Sequence, residues 1–175
     1  GEGVLHRTAP GTPFSVRTLI DLMIRQSDNI ARNMLLRRFG ARQVFHYAER
    51  LGARTPPLDP STPATTPKEM ARLLEQLYSG AIPDEELSAW LIWLLATTRF
   101  DNRIAAGVPR GVRVAHKIGS RPAVVHDVGL VFVPGRPFVL AVFSSGVDEK
   151  AAERVIQRVA REAYREFRRL GGRGE

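Results

Sequence analysis

The sequence contains no cysteine, which excludes disulfides, thiolate metal sites and a thiol nucleophile. Lysine is almost as scarce: Lys68, Lys117 and Lys150 are the whole set, so arginine carries nearly all of the +8 net charge. No run is long and apolar enough to span a bilayer, because proline or charge interrupts each candidate. The opening Gly1-Glu2-Gly3 offers neither the basic start nor the apolar run of a secretory signal, and without an initiating methionine the natural start is expected to lie upstream. Two nucleophile signatures are missing as well. There is no Gly-x-Ser-x-Gly, and since Thr65, Val114 and Val147 stand three residues before the lysines there is no Ser-x-x-Lys. The nearest approach, Thr65-Thr66-Pro67-Lys68, reads as a helix start with a threonine N-cap and proline at the first helical position.

What remains is globular. With 175 residues and 43% hydrophobic content the chain can build one ordinary domain or two small lobes around a real core. Its basic excess could steer anionic ligands such as nucleic acid or a cell-wall polymer. Many arginines, however, fall on the solvent side of helices that also carry glutamates, and no stacking aromatics or recognition motif accompany them, so no nucleic-acid partner is expected. Of the histidines, His6 lies in a loop, His46 on a helix, His116 beside Lys117 and His126 beside Asp127; no pair has metal-ligand spacing, and no metal or cofactor is expected.

Hydrophobic spacing orders the chain as helices first and strands after. Val16, Leu19, Ile20, Met23 and Ile24 recur at helical intervals behind Ser15, a candidate N-cap. A second helix begins around Ser27 to Asn29 and stops at Gly40, and a third runs from about Arg42 to Leu51. After a proline-rich loop over 53–66, helices are expected from Pro67 to Tyr78 and from Asp84 or Glu85 to about Leu95. The period then changes. Alternation over 112–118, and Val- and Phe-rich runs over Ala123 to Val133 and Phe138 to Ser145 joined by Pro134-Gly135-Arg136-Pro137, read as three antiparallel strands. A last helix from about Glu149 carries Ala152, Val155, Ile156, Val159, Ala163, Phe167 and Leu170 on one stripe. The expected class is α+β, with a mostly helical region 1–110 and a sheet-plus-helix region 111–175.

Ser27-Asp28-Asn29 and His116-Lys117-Ile118-Gly119-Ser120 are the candidate functional motifs. Each is weak alone: a Ser-Asp-Asn triplet arises by chance in roughly one chain in forty of this length, and all three residues favour helix N-caps. Their surroundings add to the signal. Pro10-Gly11-Thr12 and a helix leading directly into Gln26-Ser27-Asp28-Asn29, then Thr65-Thr66-Pro67-Lys68-Glu69-Met70, then Asp101-Asn102-Arg103-Ile104 running to Val114-Ala115-His116-Lys117, resemble in order the class A β-lactamase family and its D,D-peptidase relatives. The resemblance covers essentially the whole chain, and what it leaves out is the family's N-terminal part with the Ser-x-x-Lys helix.

The resemblance implies a β-lactamase/transpeptidase-like fold and a serine hydrolase acting on β-lactams or related acyl-D-amino acid amides, located in the bacterial periplasm or outside the cell. It implies that Ser27 relays a proton to the leaving nitrogen and that Lys117 places positive charge beside that hydroxyl and the substrate carboxylate. Asn29 would bind the acylamide group, Gly119 and Ser120 would line the substrate, the Ser120 amide would supply half of an oxyanion hole, and Asp28 would hold the turn. Two departures qualify this. Ile118 stands where the family usually has Thr or Ser, a loss that Ser120 could partly offset. Residues 51–66 contain no glutamate to serve as deacylating base, and their single acid, Asp59, sits between prolines as a turn residue. The alternative is a noncatalytic relative that binds a wall peptide or a protein partner. Without the family's N-terminal strands and first helix, one sheet edge and part of the last helix would be uncovered, and the isolated chain is expected to be marginally stable, to self-associate, or to need that segment as a second chain.

Overall fold

A computed structural model of the protein describes residues 3–53, 64–82 and 84–171. The expectation for Asp59, and most of the proline-rich loop, lie outside the described residues. A 3-10 turn (Leu5–Arg7) precedes five helices: α1 (Val16–Arg25), α2 (Asn29–Phe39), α3 (Ala41–Arg50), α4 (Pro67–Tyr78) and α5 (Glu85–Ala96). A four-residue helix α6 (Ile104–Gly107) leads to strands β1 (Val114–Arg121), β2 (Val124–Val131) and β3 (Phe138–Ser145), and α7 (Glu149–Gly171) closes the chain.

Local chemistry sets the helix ends. Ser15 accepts the Thr18 N–H at the start of α1, Asp84 accepts the Leu87 N–H at the start of α5, and Thr66 with Glu69 forms a reciprocal capping box behind Pro67. α2 begins one residue after its cap, Asp28, and ends at Gly40, whose φ of 82° is one that side chains rarely adopt. The strands differ slightly from the sequence pattern. β1 starts at Val114 rather than 112 and extends to Arg121, while β2 is shorter at both ends than Ala123 to Val133. The turn between β2 and β3 is closed by the Arg136 N–H on the Val133 carbonyl, with Gly135 at φ 71°.

The sheet is antiparallel in the order β1-β2-β3, with Val114 opposite Val131 and Val131 opposite Phe138. Strand alternation sends successive residues to opposite faces. Val114, Val125, Val131 and Phe138 pack with Ala152, Ile156, Ala160 and Tyr164 of α7. Ala115 and Leu130 point the other way, to Leu77 of α4 and Leu95 of α5. A separate cluster of Leu5, Leu19, Ala31 and Leu35 joins the first turn to α1 and α2. Lys117 therefore faces the helices and His116 faces α7. Among the described residues no strand pairs with the outer edge of β1 or of β3, and Val155 and Val159 of α7 are exposed.

Candidate active site

Ser27 occupies the link between α1 and α2 in a left-handed conformation, φ 54°, which is uncommon for a residue with a side chain. The link is pinned on both sides. The Arg25 carbonyl accepts from the Arg99 N–H and the Thr98 hydroxyl, and the Arg25 Nε donates to the Thr97 carbonyl, so the end of α1 is tied to the exit of α5. On the other side the buried Asp28 carboxylate accepts four backbone N–H groups, Ile30 and Ala31 on Oδ1 and Val4 and Leu5 on Oδ2, at 2.7–2.9 Å. Burial pushes its carboxyl up, but the amides of Leu5, Ala31, Val4 and Ile30 together outweigh that and hold it below the ordinary aspartate value.

Across from this turn stands β1. Lys117 extends its ammonium to donate to Ser27 Oγ at 2.9 Å and to the Ile118 carbonyl at 3.0 Å. The two motifs, 90 residues apart, meet there. They open onto a cleft of about 650 Å³ lined by Ser27, Asn29 and Thr65 on the helical side and Gly119, Ser120, Arg121, His126 and Phe143 on the sheet side. Asn29 is exposed at the rim, and Ser120 lies exposed at the end of β1. Ile118, 8% exposed, is buried and does not line the cleft. His126 stacks on Phe143 with ring centroids 4.0 Å apart, and its Nδ1 accepts the Ser144 N–H.

One site residue was invisible as such in the sequence. Arg103, 2% exposed, reaches β1 and β2 from the α7 side: its Nη1 donates to the carbonyls of Gly119 (3.2 Å) and His126 (2.7 Å), and its Nη2 to Ser120 Oγ (2.6 Å). A guanidinium has only donors, so Ser120 Oγ is the acceptor and keeps its own hydrogen for another partner. Glu149 and Glu153 on α7 lie 3.5 and 3.9 Å from the guanidinium and offset its charge. The sequence held a signal in Asp101-Asn102-Arg103-Ile104, but nothing in spacing alone aims Arg103 at the sheet.

The family model described as "Beta-lactamase enzyme family" matches residues 1–167. The chain belongs to this family. Among curated relatives, the β-lactamase AST-1 of Nocardia asteroides is 34% identical over 160 residues, covering 80% of this chain and 50% of that protein. β-lactamase 3 of Bacillus cereus is 29% identical over 156 residues, 80% of this chain and 49% of that protein. The chain thus spans about half the length of the curated β-lactamases it matches. Its fold is that of the class A β-lactamases. The solved structure of PBP-A superposes with a TM-score of 0.86 at 26% identity, covering 97% of this chain and 67% of that one. A β-lactamase from Sphaerobacter thermophilus DSM 20745 gives 0.86 at 29% identity, covering 95% and 68%. A mutant PBP-A has been solved as an acyl-enzyme complex with penicillin G.

Among the described residues no group of three or more His, Asp or Glu side chains could hold a metal ion, and no helix is long and apolar enough to cross a membrane.

Proposed function

We propose that this chain contributes the proton-relay and substrate-binding half of a class A-type serine hydrolase that is acylated by β-lactams or by related acyl-D-amino acid amides of cell-wall peptides. The observation that carries this reading is the 2.9 Å contact of Lys117 Nζ with Ser27 Oγ at the mouth of a polar cleft. Acyl transfer needs a nucleophile, a proton path to the departing nitrogen and donors for the oxyanion. In this reading a serine from a Ser-x-x-Lys segment outside these 175 residues attacks the carbonyl and forms the acyl-enzyme. Ser27 passes its hydroxyl proton to the nitrogen as the C–N bond breaks, and regains one from the nucleophile's side of the site. Lys117 donates to Ser27, which leaves the serine's hydrogen directed away from the ammonium and toward the leaving group.

The rest of the cleft positions the substrate. The Ser120 N–H supplies one oxyanion donor, and its hydroxyl, held on the acceptor side by Arg103, donates to a substrate carboxylate in place of the hydroxyl that Ile118 lacks. Asn29, at the rim, binds the acylamide. Asp28 has no chemical step; its four amide bonds hold the turn that presents Ser27. Such a protein works outside the cytoplasm, where wall peptides and β-lactams are found.

The test is made on the protein expressed from its complete gene. Incubation with penicillin G followed by peptide mass spectrometry should find a penicilloyl group on a serine outside this chain, and Ser27→Ala should slow its formation at least about a hundredfold, the range of a lost general acid. Specific, reversible binding of a wall peptide with no adduct under any condition would instead identify a noncatalytic relative.

A further inference from the structure

We propose that Asp127 is a positioning residue for this cleft, acting through His116 and Arg103 on the part of β1 that carries Lys117, Gly119 and Ser120. The proposal rests on the acyl-transfer reading above. Asp127 sits in β2 on the α7 side of the sheet and is completely buried. A carboxylate in that setting is tolerated only where donors converge on it. Two groups do so: His116 Nδ1 lies 3.0 Å from both oxygens, and the Ile104 N–H donates to Oδ2 at 3.0 Å.

Each donor leads to the cleft. Ile104 opens α6, a single helical turn with no side-chain cap from its own neighbours. One turn does not hold itself in water, so its place is fixed from outside. Asp127 grips its first amide, and at its other end Gly107 packs so tightly on α7 that a Cβ there would collide with the Gln157 carbonyl and stand 2.7 Å from the Ala160 Cβ. The residue joined to that first amide is Arg103. Fixing the Ile104 N–H fixes the backbone from which Arg103 reaches the Gly119 carbonyl and the Ser120 hydroxyl. The second donor, His116, directly precedes Lys117. Its Cβ packs closely on Gly129, where an added Cβ would stand 2.8 Å from it, and with the carboxylate as acceptor the ring proton is on Nδ1. One buried carboxylate therefore sets the residue before Lys117 and the arginine that holds the two residues after Ile118.

The experiment uses the protein expressed from its complete gene and a fluorescent penicillin in rapid mixing, which reads separately how much protein is acylated and how fast. A purely structural role lowers the acylated fraction and leaves the rate constant of the folded remainder unchanged. A positioning role lowers the rate constant at full amplitude, because small displacements of oriented groups cost one to two powers of ten in rate. Asp127→Asn is expected to acylate fully but about tenfold or more slowly at saturating penicillin, and His116→Ala to behave alike. His116→Asn, whose side-chain amide can stand where Nδ1 stood, should return to within a few-fold of the wild type. Glu162→Gln, on the exposed side of α7, serves as control and should match the wild type. Wild-type rate constants in Asp127→Asn and His116→Ala, or losses confined to amplitude, overturn the proposal while leaving the functional reading intact. If Asp127→Asn does not fold, the two His116 variants decide, and equal rates for them overturn the proposal. A wild-type protein that is never acylated overturns the functional reading and this proposal together.

Discussion

Gly3 packs so closely on Asp28 that a Cβ at residue 3 would collide with the carboxylate. Gly3 also has φ 110°, so both conformation and space require glycine there. Its neighbours Val4 and Leu5 can then deliver their N–H groups to Asp28 Oδ2 while Oδ1 caps α2. The segment before the first helix is thereby bonded to the turn that presents Ser27. Gly3→Ala and Asp28→Ala should each destabilise the fold by about 3 kcal/mol or more, since either disrupts four amide bonds to Asp28, two of them buried. Urea unfolding measures the loss, and a change below about 0.5 kcal/mol, the size of an ordinary surface effect, would contradict it.

Asp28 also sets a pH dependence. Its carboxyl is held below its ordinary value in the folded chain, so the unfolded chain binds a proton first as pH falls. The stability it contributes is present in full above the unfolded aspartate pKa, about 3.9, and is lost as pH falls through the folded value. Asp28→Asn should remove this component, giving a variant less stable at neutral pH whose unfolding free energy varies less with pH over the acid range. An unchanged slope in the variant would show that other carboxylates govern acid unfolding.

Much of this architecture was legible in the sequence because its signals are local. Ser15, Thr66 before Pro67, Gly40 and the Pro134–Pro137 turn mark ends that the chain itself enforces, and period-two alternation separated Lys117 from His116. The features that escaped depend on distant partners. Helix α6 is too short for any periodicity and is capped by Asp127 from another element. The left-handed Ser27 is held by Arg25, Asp28 and their contacts, not by its own propensity. Arg103 reads as one arginine among many until α6 aims it inward. Ser27, Lys117, Asn29, Gly119 and Ser120 were legible only as two linked motifs; nothing short of the fold gives the 2.9 Å between them.

The uncovered parts of the sheet and last helix have a solution consequence. The outer edge of β3 pairs with no strand among the described residues, and Val155 (58% exposed) and Val159 (39% exposed) stand out on α7. Unpaired edges and apolar patches recruit partners. The 175-residue chain by itself should associate in a concentration-dependent way in sedimentation velocity, and Val155→Lys with Val159→Lys should reduce that association. A monodisperse monomer with a melting temperature above about 65 °C, the upper end for mesophilic domains, would contradict this.

The 175-residue chain by itself should not hydrolyse β-lactams. Covalent catalysis requires a nucleophile with an adjacent base, and the Ser-x-x-Lys that supplies both is absent from this sequence. Ser27 does contact a lysine, Lys117, but that lysine donates to it, which suits proton relay rather than deprotonation. Turnover of a chromogenic cephalosporin that is abolished by Ser27→Ala, or a penicilloyl adduct on any serine of the chain, would overturn this.

In the protein expressed from its complete gene, acylation should outrun deacylation. Hydrolysis of an acyl-enzyme needs a base to activate water, and the sequence over 51–66 supplies no glutamate for it. Glu69, the next acid along, is buried and committed: its Oε2 accepts the Thr66 N–H at 2.9 Å and the Thr65 hydroxyl at 3.3 Å in the cap of α4. With Oε2 held in the helix cap, this carboxylate is tied to α4 and not placed as a free base for a water in the cleft. Penicillin should therefore produce a burst of one equivalent followed by turnover slower than about 1 s⁻¹, the low end for efficient enzymes. Glu69→Gln, which keeps the capping box, should leave that slow phase within about twofold and lower stability by no more than about 1 kcal/mol. Rapid steady-state hydrolysis without a burst, or a tenfold fall in turnover in Glu69→Gln, would show that a base acts there after all.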